Sequence, residues 1–188
     1  MGVEEAKYTL VEQERPFEIR DYASCILAQV IVAATLETAG NEAFRRLLRY
    51  ISGENRSREN IALTAPVSQQ SRSAKISMTA PVSQQRVSSG FAVGFTMPSS
   101  FTMDTIPTPN DPDIVLRLVP ARRMAAIRYS GFWSESRYLQ NKIRLDTWIG
   151  KKGLTALGEP VWARYNPPFM PWFLRRNEVL IEIRTAQV

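Results

Sequence analysis

Apolar and polar residues alternate along residues 7–34, with the two-residue period of β-strands. This stretch predicts two or three strands. The period then changes, because the apolar residues from Phe44 to Ile51 recur at the i, i+3, i+4 and i+7 spacing of one helix face. Gly53 is placed to end this first helix, since glycine readily takes the backbone conformation that follows a last helical turn.

The same order of elements recurs in the second half of the chain. Ser134 predicts the start of a second helix that runs to about Gly150. The repeated order predicts one α+β domain over residues 1–188. In it, two pseudo-repeated β-α-β-β halves form a distorted β-barrel or a curved antiparallel sheet with two outer helices. The further strands are expected at residues 91–97, 114–119, 124–130, 161–165 and 179–183.

A ten-residue segment occurs twice in the middle of the chain. Residues 61–70 recur as residues 76–85, with eight of the ten positions identical. We expect two similar strands joined by the polar residues 71–74, with their prolines at strand ends or on an edge. Two roles stay open for the Thr-Ala-Pro-Val sequence of each copy: it builds a wall of the fold, or it lines a ligand cavity.

Composition excludes several classes of protein. With 44% hydrophobic residues the chain can bury a core. Its net charge of +6 comes from scattered pairs of basic residues rather than from a basic run, so nucleic-acid binding is not expected. The apolar window at residues 25–34 is too short to span a membrane. The single cysteine, Cys25, and the polar start of the chain indicate a reducing compartment, and we expect a cytoplasmic protein.

The sequence contains no histidine. This excludes a Ser-His-Asp or Cys-His device and a histidine-ligated metal within these residues. Asp, Glu and Tyr remain as acids and bases. A binding protein is therefore expected rather than an enzyme, and no metal site is assigned.

Five motifs follow one another along nearly the whole chain. They are Phe-Glu-Ile-Arg-Asp-Tyr at 17–22, Tyr-Ile-Ser-Gly-Glu-Asn at 50–55, Met-Thr-Ala-Pro-Val at 78–82, Ala-Arg-Tyr-Asn-Pro-Pro at 163–168 and Arg-Arg-Asn-Glu-Val at 175–179. Together, in this order, they resemble the SOUL haem-binding proteins. The resemblance implies that the chain binds haem b or a free porphyrin non-covalently, in a distorted barrel with two helices.

The resemblance also implies a place for the porphyrin. In similar proteins the first helix forms the porphyrin site, which points to Phe44 and Leu48 beneath the ring. Arg49 matches a basic helix position that would face a propionate, and Arg45 is a nearby option. Burying roughly 300 Å² of one ring face would contribute about 7 kcal/mol, against an association cost of roughly 4 kcal/mol or more.

A second wall is expected from the aromatic segment at residues 169–173. Phe169, Met170 and Trp172 are its candidate contacts, although Met170 stands where some family members have a base. An equally open interpretation is that these rings fold onto the core. The charged run at residues 175–178 likewise either braces a loop or binds a carboxylate.

This sequence departs from the family at the expected iron ligand. Some members carry a histidine directly after the Glu-Ile-Arg motif, where this chain has Asp21. Cys25, the methionines and the tyrosines are the remaining candidate ligands, and core packing is the expected role for each. We therefore expect a ring held by apolar area and charge, without a strong axial bond.

An alternative function follows from the doubled half-domain. It is similar to the effector-binding modules of some bacterial transcription regulators and antibiotic-sequestering proteins, which use a central pocket with a buried glutamate. The chain would then bind another small hydrophobic molecule. Glu178, beside the strand of Tyr165, would be the glutamate, and a hydrolase would use it as a base.

Overall fold

The computed structural model describes residues 3–57 and 73–185. Its α-helices are α1 (Leu36–Ser52) and α2 (Glu135–Lys151), and Trp172–Leu174 forms one 3₁₀ turn. Its strands are β1 (Glu4–Glu5), β2 (Tyr8–Glu14), β3 (Phe17–Tyr22), β4 (Cys25–Val32), β5 (Asn55–Arg56), β6 (Thr79–Ala80), β7 (Val82–Val87), β8 (Gly90–Thr96), β9 (Thr108–Pro109), β10 (Val115–Val119), β11 (Arg122–Tyr129), β12 (Leu154–Arg164) and β13 (Asn177–Thr185).

Both helices have the predicted caps. Gly53 ends α1 with a φ of 122°, a conformation that favours glycine. The Ser134 hydroxyl accepts a hydrogen bond from the backbone N–H of Arg137 at the start of α2. Helix α1 begins earlier than the apolar pattern suggested, at Leu36 with Thr35 as its N-cap, because small residues such as Ala39 extend the buried stripe toward its N-terminus.

The main sheet of the described residues has nine strands, in the order β10-β4-β8-β7-β12-β13-β11-β3-β2, and every pairing in it is antiparallel. The units β4-α1-β7-β8 and β11-α2-β12-β13 have the same internal strand order and meet where β7 pairs with β12. The two predicted β-α-β-β halves are thus confirmed. Strands β10 and β2 remain its two edges in the described residues, so the sheet is the open, curved form and is not closed into a barrel.

Two stretches differ from the sequence prediction. Strand β12 starts at Leu154, seven residues before the predicted start at 161, and a register shift separates Leu157 from Val161. The first part of β12 is largely exposed, and its apolar residues are interrupted by Thr155, Gly158 and Glu159, so no apolar run marks it. The first copy of the repeat, at 61–70, and the first two residues of the turn after it, 71 and 72, lie outside the described residues.

The sheet buries side chains on both faces. Helices α1 and α2 cover one face, where alternate residues such as Ile127, Trp162 and Val179 join the main core. On the opposite face the intervening residues form a smaller cluster: Met124, Ala126, Val161, Ala163 and Leu180. No helix in the described part of the chain is long and apolar enough to cross a membrane.

Candidate functional site

An apolar cavity of about 320 Å³ lies beside the N-terminal half of α1. We call it the α1 cavity. Its other walls come from the second copy of the repeat, which includes β6 and the start of β7, from the segment after β11 and from the loop that follows β12. Residues of the second copy therefore form part of a cavity wall, while the first copy lies outside the described residues. Side chains around it include Phe44, Met78, Val82, Trp133, Pro167 and Pro168.

Helix α1 presents Gly40 and Phe44 to this cavity. Residues four apart share a helix face, so the two lie one turn from each other. The Phe44 ring is held edge-on against Phe95, with 5.5 Å between ring centroids. Gly40 leaves space for a charged side chain, because a Cβ at this position would lie 2.7 Å from Nη1 of Arg164.

Arg164, the last residue of β12, brings a positive charge to the α1 cavity while only 6% exposed. Its Nη2 donates hydrogen bonds to the Leu36 carbonyl and to Oε1 of Gln84, both at 3.2 Å. Its Nε is buried and has no hydrogen-bond partner in the described structure. Burial lowers the pKa of Arg164 to about 10. No described carboxylate lies within ion-pair distance of this guanidinium, but the charge of Glu37 acts on it from farther away and offsets part of the effect of burial on its pKa.

Two tryptophan rings flank the Arg164 guanidinium. Its Cζ lies 4.0 Å from the centroid of Trp162 and 5.1 Å from that of Trp133. Such cation–π contacts offset part of the cost of removing the charge from water. Trp133 is itself oriented by a hydrogen bond from its Nε1 to Oδ1 of Asn177, at 2.8 Å. The site therefore combines a fixed cation with aromatic and aliphatic walls.

Of the helix residues expected at a porphyrin site, Phe44 lines the cavity. Leu48 lies one turn farther along α1 and is exposed, as are Arg45 and Arg49. The Arg49 Nε lies 3.6 Å from a carboxylate oxygen of Glu54. The structure thus places Leu48, Arg45 and Arg49 on α1 outside the α1 cavity.

The loop residues expected as a second wall lie beside the cavity rather than in it. Phe169 directly follows the cavity-lining Pro168 and is 84% exposed. Trp172 stacks on Phe132, with 5.3 Å between centroids. The rings of this segment therefore do not fold onto the main core.

The loop after β12 is braced by a cation. Arg175 donates from Nε to the carbonyl of Met170 at 2.8 Å and from Nη2 to that of Pro168 at 2.6 Å. Its guanidinium also lies 4.5 Å from the centroid of Trp133. For Arg175 the loop-bracing interpretation of the charged run is the one that the structure supports.

Arg164 and Gly40 were not singled out by the sequence analysis. Arg164 belongs to the Ala-Arg-Tyr-Asn-Pro-Pro motif, which was used only to recognise the family. The available signal was its register: two residues after Trp162, it shares the face of β12 that packs on the helices, where a charge is unusual.

Glu178 lies on the opposite face of the sheet and is fully buried. Its carboxylate accepts hydrogen bonds from Arg20 at 2.6 and 3.0 Å, from the Tyr165 hydroxyl at 2.9 Å and from Arg176 at 2.9 Å. Burial alone would raise the pKa of Glu178, but the bonds and charges of the two arginines outweigh it and lower the pKa. A general base needs a pKa near the working pH and a free lone pair, so Glu178 does not suit that role.

A second cavity, of about 460 Å³, opens near the ends of β3 and β4. Cys25, Met97 and Leu118 are among its lining residues. Charged groups at its mouth are already bonded, since the Glu4 carboxylate accepts from the Ser99 N–H at 3.1 Å. Burial raises the pKa of the Cys25 thiol. Within the described residues no cluster of three or more Cys, Asp or Glu side chains could hold a metal ion.

Comparisons with known proteins agree on a family. The model of a family described as "SOUL heme-binding protein" matches residues 3–182. The chain is 24% identical to "Heme-binding protein 1" of Xenopus tropicalis over 164 residues, which cover 87% of this chain and 81% of that protein. The protein of the same name from Xenopus laevis matches with the same identity and coverage.

Two solved structures share the fold. The EcmrR C-terminal domain superposes with a TM-score of 0.59 at 12% identity and covers 95% of this chain and 99% of that one. A hydrolase from Listeria innocua superposes with a TM-score of 0.58 at 7% identity, over 93% of this chain and 94% of that one. At these identities the likeness concerns the fold alone.

Proposed function

Because this chain belongs to the SOUL haem-binding protein family, we propose that it binds haem or a related tetrapyrrole non-covalently in the α1 cavity. One observation carries the choice of cavity: an apolar hollow that contains a buried guanidinium without a carboxylate partner in the described structure. A tetrapyrrole with propionate groups has the matching chemistry, an apolar ring joined to carboxylates. Arg is suited to pairing with such carboxylates.

Apolar contacts would supply most of the affinity. The cavity volume of about 320 Å³ is at the lower end of the roughly 300–1,000 Å³ of small-molecule pockets. A tetrapyrrole would therefore place part of its ring against Phe44, Met78 and Pro168 and cover neighbouring surface with the rest. The ring would cover the exposed side chains of Leu48 and Phe169, and full burial of each would contribute about 1.5–3 kcal/mol to the free energy of binding.

The outer rim of the proposed site consists of the remaining helix and loop residues. Arg45 and Arg49 would face a carboxylate that stays in solvent, and Met170 and Trp172 would border the ring on the loop side. Because Arg45 and Arg49 are exposed, each would contribute little to affinity.

We propose that no strong bond from the protein to iron is involved. The sequence has no histidine, and the sulfur among the lining residues is the thioether of Met78. A thioether is a weak ligand compared with imidazole or thiolate. The same apolar and charged contacts are available to a metal-free porphyrin, so the proposed ligand class is the tetrapyrrole rather than iron itself.

Titration of the apo protein with haemin tests the function. We expect a saturable shift of the Soret band with one haemin per chain. Two exposed helix leucines provide a matched pair of variants, Leu48→Asp on α1 and Leu139→Asp on α2. The first should weaken haemin binding and the second should not. A spectrum that does not change with haemin, or equal effects of both variants, would refute the proposal.

The alternative ligand, another small hydrophobic molecule, has its own candidate site. The 460 Å³ cavity shares Thr79 with the α1 cavity, but it is lined by Cys25, which does not line the α1 cavity. Alkylation of Cys25 with N-ethylmaleimide should therefore block binding there and leave haemin binding unchanged. Loss of haemin binding on alkylation would instead move the tetrapyrrole site to this second cavity.

A further inference from the structure

The Arg164 guanidinium is held in place without being neutralised. Both acceptors of its Nη2 hydrogen bonds, the Leu36 carbonyl and the Gln84 amide oxygen, are uncharged. Gln84 is fixed in turn, because its Nε2 donates to the same Leu36 carbonyl at 2.6 Å. Gly40 prevents a clash with Nη1, as shown above. The guanidinium thus has a defined position and remains able to bind an anion, since Glu37 acts on it only from beyond ion-pair distance.

The same sheet contains a buried arginine that is neutralised. On the opposite face, Arg20 is 1% exposed and lies 2.6 Å from both Glu178 and Glu18. These contacts raise the pKa of Arg20 despite its burial, whereas burial lowers the pKa of Arg164. Buried charges are normally paired, so Arg164 differs from the rule that its own fold follows elsewhere.

We infer that the missing anion is a carboxylate of the ligand, and that the tetrapyrrole enters the α1 cavity with one propionate directed at Arg164. This inference rests on the proposed function and adds to it the orientation of the ligand and the residue that recognises it. The buried end of the ligand is then acidic and the exposed part is ring. A porphyrin whose carboxylates are esterified could not neutralise Arg164 and should bind less well.

Tryptophan fluorescence provides the signal for binding, and two of the four tryptophans lie beside Arg164. Trp133 lines the α1 cavity and Trp162 lies 4.0 Å from the guanidinium carbon. A ligand that reaches Arg164 therefore comes close to both indole rings and should quench their fluorescence. Quenching can be measured with metal-free porphyrins, so the test does not depend on iron.

The experiment compares protoporphyrin IX with its dimethyl ester in quenching titrations. For the wild-type chain we expect the diacid to bind about 10- to 100-fold more tightly than the diester, the range for hydrogen bonds to a buried charge. Arg164→Met should bind both compounds with similar affinity, and Arg164→Lys should keep part of the preference. Thermal melts would verify that each variant is folded.

Arg128→Met is the matched control. Arg128 is exposed on the face of β11 opposite to the helices and does not line the α1 cavity, so removing its charge should leave the preference for the diacid unchanged. Equal affinity of the wild type for diacid and diester would overturn the role of Arg164 and leave the proposed function standing. A preference that survives Arg164→Met would do the same. If neither porphyrin binds the wild type, both proposals fall together.

Discussion

Glu178 offers a strong test of the energetic reasoning, because its carboxylate joins distant parts of the chain. It is fully buried and accepts hydrogen bonds from Arg20, Tyr165 and Arg176. Glu178→Gln keeps the shape but removes the charge, which leaves Arg20 with Glu18 as its remaining ion-pair partner in the described structure. Removing one partner of a buried ion pair costs about 3–5 kcal/mol. In a domain of this size that lowers Tm by roughly 6–20 °C.

Urea unfolding followed by circular dichroism measures this loss, with Asp21→Asn as the control. Asp21 also binds an arginine through both oxygens, with Arg123 Nε and Nη2 each at 2.7 Å, but this pair is exposed to solvent. Exposed ion pairs contribute little to stability, so Asp21→Asn should change the free energy of unfolding only slightly. Equal effects of the two substitutions would refute the claim that burial determines the contribution.

The dependence on pH has a definite sign. The pKa of Glu178 is lowered from its ordinary value of 4.5 in the folded state. Its stabilising contribution is therefore complete above about pH 4.5 and is lost as the pH falls through the lower, folded-state pKa. The wild type should lose stability on acidification more steeply than Glu178→Gln. Parallel pH profiles for the two proteins would contradict the assignment.

Three further predictions concern the ligand site. Haemin and metal-free protoporphyrin IX should bind with affinities within a few-fold of each other, and Met78→Leu should not change the ratio of these affinities. A large preference for haemin in titrations would show a bond from the protein to iron. Arg49→Glu should weaken haemin binding by only a few-fold, because Arg49 is exposed, and unchanged affinity in the same titration would remove Arg49 from the site. Gly40→Ala should weaken binding of protoporphyrin IX by displacing Arg164. The control is Gly150→Ala, whose Cβ would have no atom within 4 Å; it should leave binding unchanged and stabilise α2 by about 0.5–1 kcal/mol. Identical binding and melting behaviour of these two variants would show that Gly40 has no special role.

Local patterns were enough to predict the elements that bury one face. The spacing from Phe44 to Ile51 and the glycine at 53 identified α1, and Ser134 identified the start of α2. The repeated order of elements also predicted the two halves. What local patterns could not contain is pairing at long range: β3 pairs with β11, with Ile19 opposite Ala125, rather than with β4, which follows it directly.

The site was only partly predictable for the same reason. Phe44 was expected at the site because a helix face and a family resemblance both pointed to it, and it lines the α1 cavity. Arg164 could be identified as a binding candidate only from the structure. The sheet register and the packing of α1 show that it is buried and that it has no described carboxylate within ion-pair distance. The aromatic loop shows the opposite case, since its composition suggested a wall while the structure leaves Phe169 exposed.

The two buried arginines differ in how their charges are neutralised. On one face, Arg20 and Glu178 bring together β3 and β13, and the fold neutralises the charge with its own residues. On the other face, Arg164 meets neutral acceptors, two indole rings and a cavity. A guanidinium needed only to hold β12 against α1 would be less costly beside a carboxylate. A charge left unpaired at a cavity instead lowers the stability of the ligand-free protein and raises its affinity for an anion. Such a loss of stability in return for affinity is expected of a residue whose role is to bind a ligand.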